Sequence, residues 1–176
     1  MTIEARAFLA EVADRLVAGT TGADRRLAER FADAVDRAAV VPSTPSRVPC
    51  VDELSPNGDP LWDQLLALDD VLPWVGTPRV GDGGRSCAIA DFGACLDLGT
   101  MNVGAMAVAP NGGYPEHDHP PHELYLVLGG PAEWRWGGAE ELRTVRAGDV
   151  IVNPPMVRHR VETGDEPVLA VWVLDT

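Results

Sequence analysis

The residues best suited to chemistry are crowded into one short stretch, residues 113–125. It contains three of the four histidines and both tyrosines of the chain. The apolar residues that close this stretch predict a β-strand, and strand side chains alternate between two faces. If that strand is regular from residue 117, four side chains share one face: His117, His119, Glu123 and Tyr125. Two imidazoles, a carboxylate and a phenol on one face predict a site for a divalent transition metal.

The composition of the chain limits its function class. Its 176 residues are 45% hydrophobic and 23% charged, which is typical of one soluble globular domain. A formal net charge of -13 repels phosphate backbones and anionic lipid, so we expect neither a nucleic-acid nor a membrane partner. All 14 basic residues are arginines, which excludes lysine Schiff-base chemistry. No signal-peptide pattern and no membrane-length apolar run is visible, so we expect a cytoplasmic protein.

The hydrophobic pattern changes from helical to strand-like near residue 81. Apolar residues at helical spacing predict helices over residues 3–18 and 23–39, and Asp59-Pro60 predicts the start of another helix that ends before residue 73. Short apolar runs then predict strands at 86–91, 94–98, 101–108, 122–128, 132–136, 141–145, 149–152, 158–163 and 167–174. We therefore expect a mainly β fold, in which a barrel of residues 81–176 carries a helical extension of residues 1–80 on its outside.

A second stretch, residues 148–159, holds the remaining histidine, His159. Together the two stretches resemble the paired motifs of the cupin superfamily, which are H-x-H-x3-E and then Gly-Asp, a proline and a lone histidine. The resemblance implies a jelly-roll barrel that binds one metal ion through His117, His119, Glu123 and His159. Two departures from the superfamily pattern are Met156 in place of a glycine and Thr163 in place of an asparagine. Both concern the geometry of turns more than the binding of a metal.

A narrower resemblance extends over about the last hundred residues. The segments that carry it are Tyr114-Pro115-x-His117-x-His119-x3-Glu123-x-Tyr125-x-Val127-Leu128-x-Gly130, Ala132-x-Trp134, Gly148-Asp149, His159-x3-Thr163 and Glu166-Pro167-Val168-Leu169-Ala170-Val171-Trp172. They are similar to the cupin-type dimethylsulfoniopropionate (DMSP) lyases. The resemblance implies cleavage of DMSP to dimethyl sulfide and acrylate by β-elimination, in which a tyrosinate removes the proton next to a metal-bound carboxylate. Tyr125 and Tyr114 match the tyrosines of that family.

The chemistry of a small zwitterionic substrate agrees with this resemblance. A proton next to a carboxylate is weakly acidic, so its removal needs a Lewis acid. A nearby cation also favours the ionised form of a phenol such as Tyr125. Dimethylsulfonium is a soft cation without hydrogen-bond donors, and aromatic faces bind such groups. The aromatic candidates for substrate binding are Trp134, Trp136 and Trp172, together with Tyr114.

Less specific interpretations of the same residues stay open. The four ligands can form a structural metal site, Tyr125 can be a core tyrosine with a bonded hydroxyl, and the three tryptophans can be core packing. His122 falls on the face opposite to His117 and is expected to face solvent or a neighbour instead of the metal.

Other functions and assemblies also stay open at this point. A cupin with this ligand set can be a thiol or diketone dioxygenase, a sugar isomerase or a non-catalytic sensor of small molecules. The ligands accept Fe2+, Zn2+, Mn2+, Ni2+ or Co2+ alike. A homodimer is compatible with the sequence but is not indicated by it.

Overall fold

The computed structural model of the chain describes residues 2–137 and 142–175. Within them the helices are α1 Thr2–Gly19, α2 Gly22–Arg37, α3 Pro49–Asp52 and α4 Pro60–Leu66. The two long helices and the start of α4 confirm the sequence prediction. The Asp59 carboxylate accepts hydrogen bonds from the backbone N–H groups of Leu61 and Trp62, at 3.0 and 3.1 Å, and thereby caps α4. No helix of the described residues is long and apolar enough to cross a bilayer.

The strands of the same residues form three antiparallel sheets. They are β1 Ala39–Val40, β2 Val75–Gly76, β3 Cys87–Asp91, β4 Leu96–Asp97, β5 Met101–Val108, β6 Gly113–His117, β7 Glu123–Val127, β8 Ala132–Trp136, β9 Arg143–Val145, β10 Val150–Asn153, β11 His159–Thr163 and β12 Val168–Asp175. The large sheet has the order β10-β7-β12-β5-β3-β2, the second sheet has the order β6-β11-β8-β9, and β1 pairs with β4.

The six-stranded sheet has two faces that belong to two different cores. Its outer face packs against the helices in a core that includes Phe8, Phe31, Trp62, Leu124 and Leu126. Its inner face packs against the four-stranded sheet in a core that includes Met106, Tyr125, Val127, Trp134 and Val161. Strand alternation explains the division, because consecutive residues of β7 point to opposite faces. The predicted fold, a mainly β barrel with helices packed outside, is therefore confirmed.

The strand predicted over residues 122–128 is confirmed as β7, but it does not extend back to residue 117. The condition under which four side chains would share one face of one strand is therefore not met, because β6 ends at His117 and β7 begins at Glu123, in a different sheet. Sequence analysis did not predict β6, since Gly113 and Pro115 are residues that usually interrupt strands. The strand predicted over residues 141–145 begins at Arg143, and residue 141 lies outside the described residues.

The division of the chain between residues 80 and 81 stays a prediction. Two short strands lie before that boundary and pair with strands after it: β1 with β4, and β2 with β3. The helical segment is thus tied to the barrel by backbone hydrogen bonds as well as by its apolar contacts.

Candidate metal centre and substrate cavity

Three histidines meet where the ends of β6 and β11 lie side by side. His117 is the last residue of β6, His159 is the first residue of β11, and the two are paired across the sheet. His119 follows two residues after β6. One ring nitrogen of each histidine lies within 4.8 Å of one ring nitrogen of each of the others. Strand pairing therefore brings together imidazoles that are about forty residues apart in sequence, as the two motifs predicted.

Each of the three rings is oriented by its own backbone. Ring Nδ1 donates a hydrogen bond to a carbonyl oxygen two residues away: His117 to Pro115 at 3.0 Å, His119 to Pro121 at 2.9 Å and His159 to Val157 at 3.0 Å. A proton fixed on Nδ1 leaves the lone pair of a neutral ring on Nε2. This arrangement of carbonyl groups behind imidazoles is the one that orients histidine ligands of metals.

The Glu123 carboxylate lies against this histidine cluster. Its Oε2 atom is 3.2 Å from His119 Nε2 and 3.3 Å from His159 Nε2, and it accepts a hydrogen bond of 2.6 Å from the Asn153 amide. Burial alone would raise the pKa of Glu123, but the hydrogen bonds from His119 and Asn153 outweigh burial and lower this pKa to about 2. The carboxylate is therefore ionised at neutral pH, as a metal ligand must be.

The protonation of the imidazoles is set by their surroundings. Burial, and then the charge of His159, lowers the pKa of His117 to about 4, so this ring is neutral at pH 7. The hydrogen bond to Glu123 raises the pKa of His119. The ionised Glu123 carboxylate thus favours the protonated form of the His119 ring. A divalent cation can take the place of that proton.

One further observation agrees with a transition metal at this set of donor atoms. The Nε2 atom of His159 is buried, and it has no hydrogen-bond partner with adequate geometry among the described residues. A buried polar atom without a partner is costly, and this one points towards Glu123. Imidazole nitrogens with one carboxylate are ligands typical of divalent transition metals. The three described imidazoles are therefore arranged so that they could hold a metal ion.

A cavity of about 170 Å³ opens beside these ligands. Its lining is Arg79, Ile89, Asn102, Met106, Tyr114, His117, His119, Glu123, Tyr125, Trp172 and Leu174. Three of the four candidate ligands, both tyrosines and one of the three candidate tryptophans thus line a single cavity. The side chains come from strands of both sheets, so the cavity exists only in the closed barrel.

The two tyrosines differ in exposure. Tyr125 is 4% exposed and its ring packs against Trp134, with ring centroids 4.9 Å apart. Burial raises the pKa of the Tyr125 phenol well above its usual value, and the negative charge of Glu123 raises it further. Without a bound cation, the Tyr125 hydroxyl is therefore protonated. Tyr114, by contrast, is half-buried, and its ring meets the edge of His117 at a centroid distance of 4.6 Å.

The three candidate tryptophans occupy different places. Trp172 lines the cavity, and its indole crosses the sheet over Gly104, where an added Cβ would lie only 2.0 Å from the indole ring. Trp134 is buried in the interior core behind Tyr125. The Trp136 indole nitrogen donates a hydrogen bond of 2.7 Å to the Asn153 side chain. Neither Trp134 nor Trp136 is among the described residues that line the cavity.

Sequence reasoning did not identify two residues of this site. Asn153 is fully buried at the end of β10 and is bonded to Glu123. The sequence signal was a polar residue that directly follows an apolar strand within the second motif. Arg79 lines the cavity, and its positive charge contributes to the low pKa of His117. Arg79 belongs to the segment before the barrel, and nothing in its sequence context indicated a functional role.

His122 lies away from the metal ligands, as predicted. Its ring faces helix α2, where Nε2 lies 3.1 Å from the Asp24 carboxylate. This contact places the fourth histidine against helix α2 and away from the other three.

Comparison with known proteins gives an independent view of the chain. Residues 80–170 match the family described as dimethylsulfoniopropionate lyase. DMSP lyase DddQ from Ruegeria pomeroyi has a solved structure similar to this one, at 24% identity, a TM-score of 0.68, and coverage of 80% of this chain and 78% of that chain. A chain among the crystal structures of the DMSP lyases RdDddP and RnDddQII is 18% identical, with a TM-score of 0.60 and coverage of 93% and 94%. At these identities the two structures demonstrate the shared fold. None of the curated proteins matches the sequence.

Proposed function

The chain belongs to the dimethylsulfoniopropionate lyase family, and on that basis we propose that it cleaves DMSP to dimethyl sulfide and acrylate by a metal-dependent β-elimination in the described cavity. Membership of the family makes the chain a carbon–sulfur lyase. The observation that carries the proposal further is the shared cavity, in which two tyrosines lie beside the histidine cluster and Glu123. A base and an electrophilic centre at one site are what an elimination requires.

We propose one divalent metal per chain, held by His117, His119, Glu123 and His159. The backbone carbonyl groups behind the imidazoles and the low pKa of Glu123 support this ligand set. A bound cation would supply Lewis acidity at the substrate carboxylate and would favour the ionised form of a neighbouring phenol. The donor set is compatible with Fe2+, Zn2+, Mn2+, Ni2+ and Co2+.

Two features of the cavity support a zwitterionic substrate. Arg79 brings positive charge close to His117, so it attracts the carboxylate of DMSP and repels the sulfonium group. Trp172 presents an aromatic ring to the same cavity, where a sulfonium without hydrogen-bond donors is stabilised by the π face. Trp134 and Trp136 support substrate binding only indirectly, through the Tyr125 ring and the Asn153 amide.

In the proposed reaction, the Tyr125 oxygen, ionised to a phenolate that a bound cation would favour, takes a proton from the carbon next to the substrate carboxylate. The electron pair of that C–H bond forms the carbon–carbon double bond of acrylate. The bond between carbon and sulfur breaks, and its electron pair remains on sulfur, so that neutral dimethyl sulfide leaves. Tyr114, which lines the same cavity and contacts the His117 ring, orients the substrate. Burial of Tyr125 keeps water from the reacting proton.

A headspace assay for dimethyl sulfide tests the proposal. Purified protein is stripped with a chelator and reconstituted separately with Fe2+, Zn2+, Mn2+, Ni2+ and Co2+, and dimethyl sulfide and acrylate are measured after addition of DMSP. We expect equal amounts of both products from at least one metal form and none from the stripped protein. Absence of product from every metal form contradicts the substrate assignment, and full activity of stripped protein contradicts the metal dependence.

A further inference from the structure

Two consecutive hydrogen bonds, one partly buried and one buried, form a chain that connects the two sheets behind the candidate metal ligands. The Trp136 indole Nε1 of β8 donates to Asn153 Oδ1 at 2.7 Å, and Asn153 Nδ2 of β10 donates to Glu123 Oε2 of β7 at 2.6 Å. Asn153 and Glu123 are also paired residues of adjacent strands. Asn153 is completely buried and Glu123 is 3% exposed, so water cannot replace these bonds at low cost.

The direction of the chain is fixed by the donor at its outer end. An indole nitrogen can only donate a hydrogen bond, so the Asn153 oxygen must face Trp136. The amide NH2 group then has to face Glu123, since oxygen and nitrogen occupy opposite sides of the same planar group. Trp136 therefore determines the orientation of the amide, and the amide determines where a hydrogen is offered to the carboxylate.

We propose that Trp136 and Asn153 are positioning residues that hold the Glu123 carboxylate in the orientation that binds the metal. This inference rests on the proposed function for the ligand set. Neither residue lines the cavity, so both act through Glu123 and neither contacts the substrate. A carboxylate without the Asn153 bond can rotate away from the histidine cluster, because the other contacts of Oε2 among the described residues are the longer ones to His119 at 3.2 Å and His159 at 3.3 Å. Trp136 is thereby assigned to the metal centre.

Metal affinity is the property that separates this role from simple packing. Dissociation constants for Zn2+ are measured by competition with a chromophoric chelator, in the absence of substrate, for the wild type and for Asn153→Ala, Trp136→Phe and the double variant. We expect Asn153→Ala to weaken binding about 10-fold to 100-fold, the range for loss of a group that orients a metal ligand. Trp136→Phe removes the indole donor and leaves a smaller aromatic ring, as Trp62→Phe does in the control, and we expect about 3-fold to 10-fold weaker binding because the amide can then flip.

The double variant tests whether the two residues act in sequence. If Trp136 acts only through Asn153, the double variant binds Zn2+ as weakly as Asn153→Ala alone. If the losses of affinity in the two single variants multiply in the double variant, the two residues act independently, and this would contradict the proposed order of action. Trp62→Phe is the matched control. Trp62 lies on helix α4, outside the barrel, and its indole nitrogen donates a hydrogen bond to the Ser55 carbonyl, so the substitution removes a comparable donor. It should lower the melting temperature while leaving the Zn2+ affinity unchanged.

The outcomes separate this inference from the proposed function. Wild-type affinity in Asn153→Ala and Trp136→Phe would overturn the positioning role and leave the lyase assignment intact. Equal losses of affinity in Trp62→Phe and Trp136→Phe would also overturn it, since general destabilisation would then explain both. A wild type that binds Zn2+ but releases no dimethyl sulfide contradicts the activity and leaves the positioning role intact.

Discussion

The two faces of the six-stranded sheet are built from one set of strands but do different work. In β7, Leu124 and Leu126 point outwards to the helices, whereas Glu123 and Tyr125 point into the barrel. The outer face gains stability from apolar burial, which is roughly proportional to area and has little directional preference. The inner face carries ionisable groups, whose burial is costly unless specific partners compensate it. Residues that stabilise the fold therefore alternate along the strand with residues that face the candidate site.

The comparison predicts that changes on the outer face affect stability and leave metal binding intact, while changes on the inner face affect the site more than the fold.

The largest change tests the outer face as a whole. Deletion of residues 1–78 removes all four α-helices of the described residues and uncovers the apolar side of the sheet, including Leu124, Leu126 and Val171. We expect the remaining barrel to aggregate, because a large exposed apolar patch promotes association. Size-exclusion chromatography and metal analysis of the fragment measure this. A soluble, metal-replete fragment with an unchanged melting temperature would contradict the outer-face argument and support an autonomous barrel.

Loss of metal is the largest effect expected on the inner face. His119→Ala and His159→Ala each remove an imidazole whose Nε2 faces Glu123, so we expect metal content to fall from one ion per chain to near zero. Elemental analysis of dialysed protein measures the content. His122→Ala is the control, because that ring lies against Asp24 on α2. Wild-type metal content in both ligand variants would exclude the proposed metal site.

Tyr125→Phe removes one oxygen from the inner face and retains the ring against Trp134. We expect kcat for DMSP to fall on the order of a hundredfold or more, the usual scale for loss of a general base. Metal content and melting temperature should remain near the wild-type values. Tyr114→Phe should lower kcat by a smaller factor if that phenol only orients the substrate. A fully active Tyr125→Phe enzyme would assign the base elsewhere and leave the metal site unaffected.

Leu126→Ala is the corresponding truncation on the outer face, one residue away in the same strand. Leu126 is 1% exposed in the core shared with the helices, so we expect destabilisation of about 2 kcal/mol or more from lost burial and a residual cavity. Urea unfolding measures this change. Leu126→Met, which conserves side-chain volume, should lower the free energy of unfolding by less than about 1.5 kcal/mol. Zn2+ affinity should be unchanged in both variants, and a clear loss of affinity would show that the two faces are coupled.

The smallest effect concerns a turn that belongs to neither face. Met156 is 62% exposed and has φ of 61°, a backbone conformation that costs a residue with a Cβ about 1–2 kcal/mol. Met156→Gly removes that cost but increases the entropy of the unfolded chain, so we expect net stabilisation of about 0.5 kcal/mol. Met156→Ala retains the Cβ and should give no stabilisation. A glycine variant less stable than wild type would mean that the Met156 side chain contributes contacts in solution.

Much of the fold followed from local pattern. Helical spacing located α1 and α2, and short apolar runs separated by glycine and proline located the strands of the barrel, because both periodicities depend on neighbouring residues alone. β6 escaped prediction since Gly113 and Pro115 break the local pattern, although pairing of this segment with β11 holds it extended. Met156 was recognised as an unusual turn residue, and its positive φ agrees with that interpretation.

The sequence by itself determined which residue types could form the metal site, because ligand chemistry depends on the identity and local spacing of His117, His119, Glu123 and His159. Only the tertiary structure decided how they meet. His117 and Glu123 lie in different sheets, so their convergence comes from closure of the barrel and not from alternation along one strand. The same closure placed Trp172 at the cavity and bonded Trp136 to Asn153. Contacts between residues far apart in sequence depend on strand pairing and register, which no local pattern specifies.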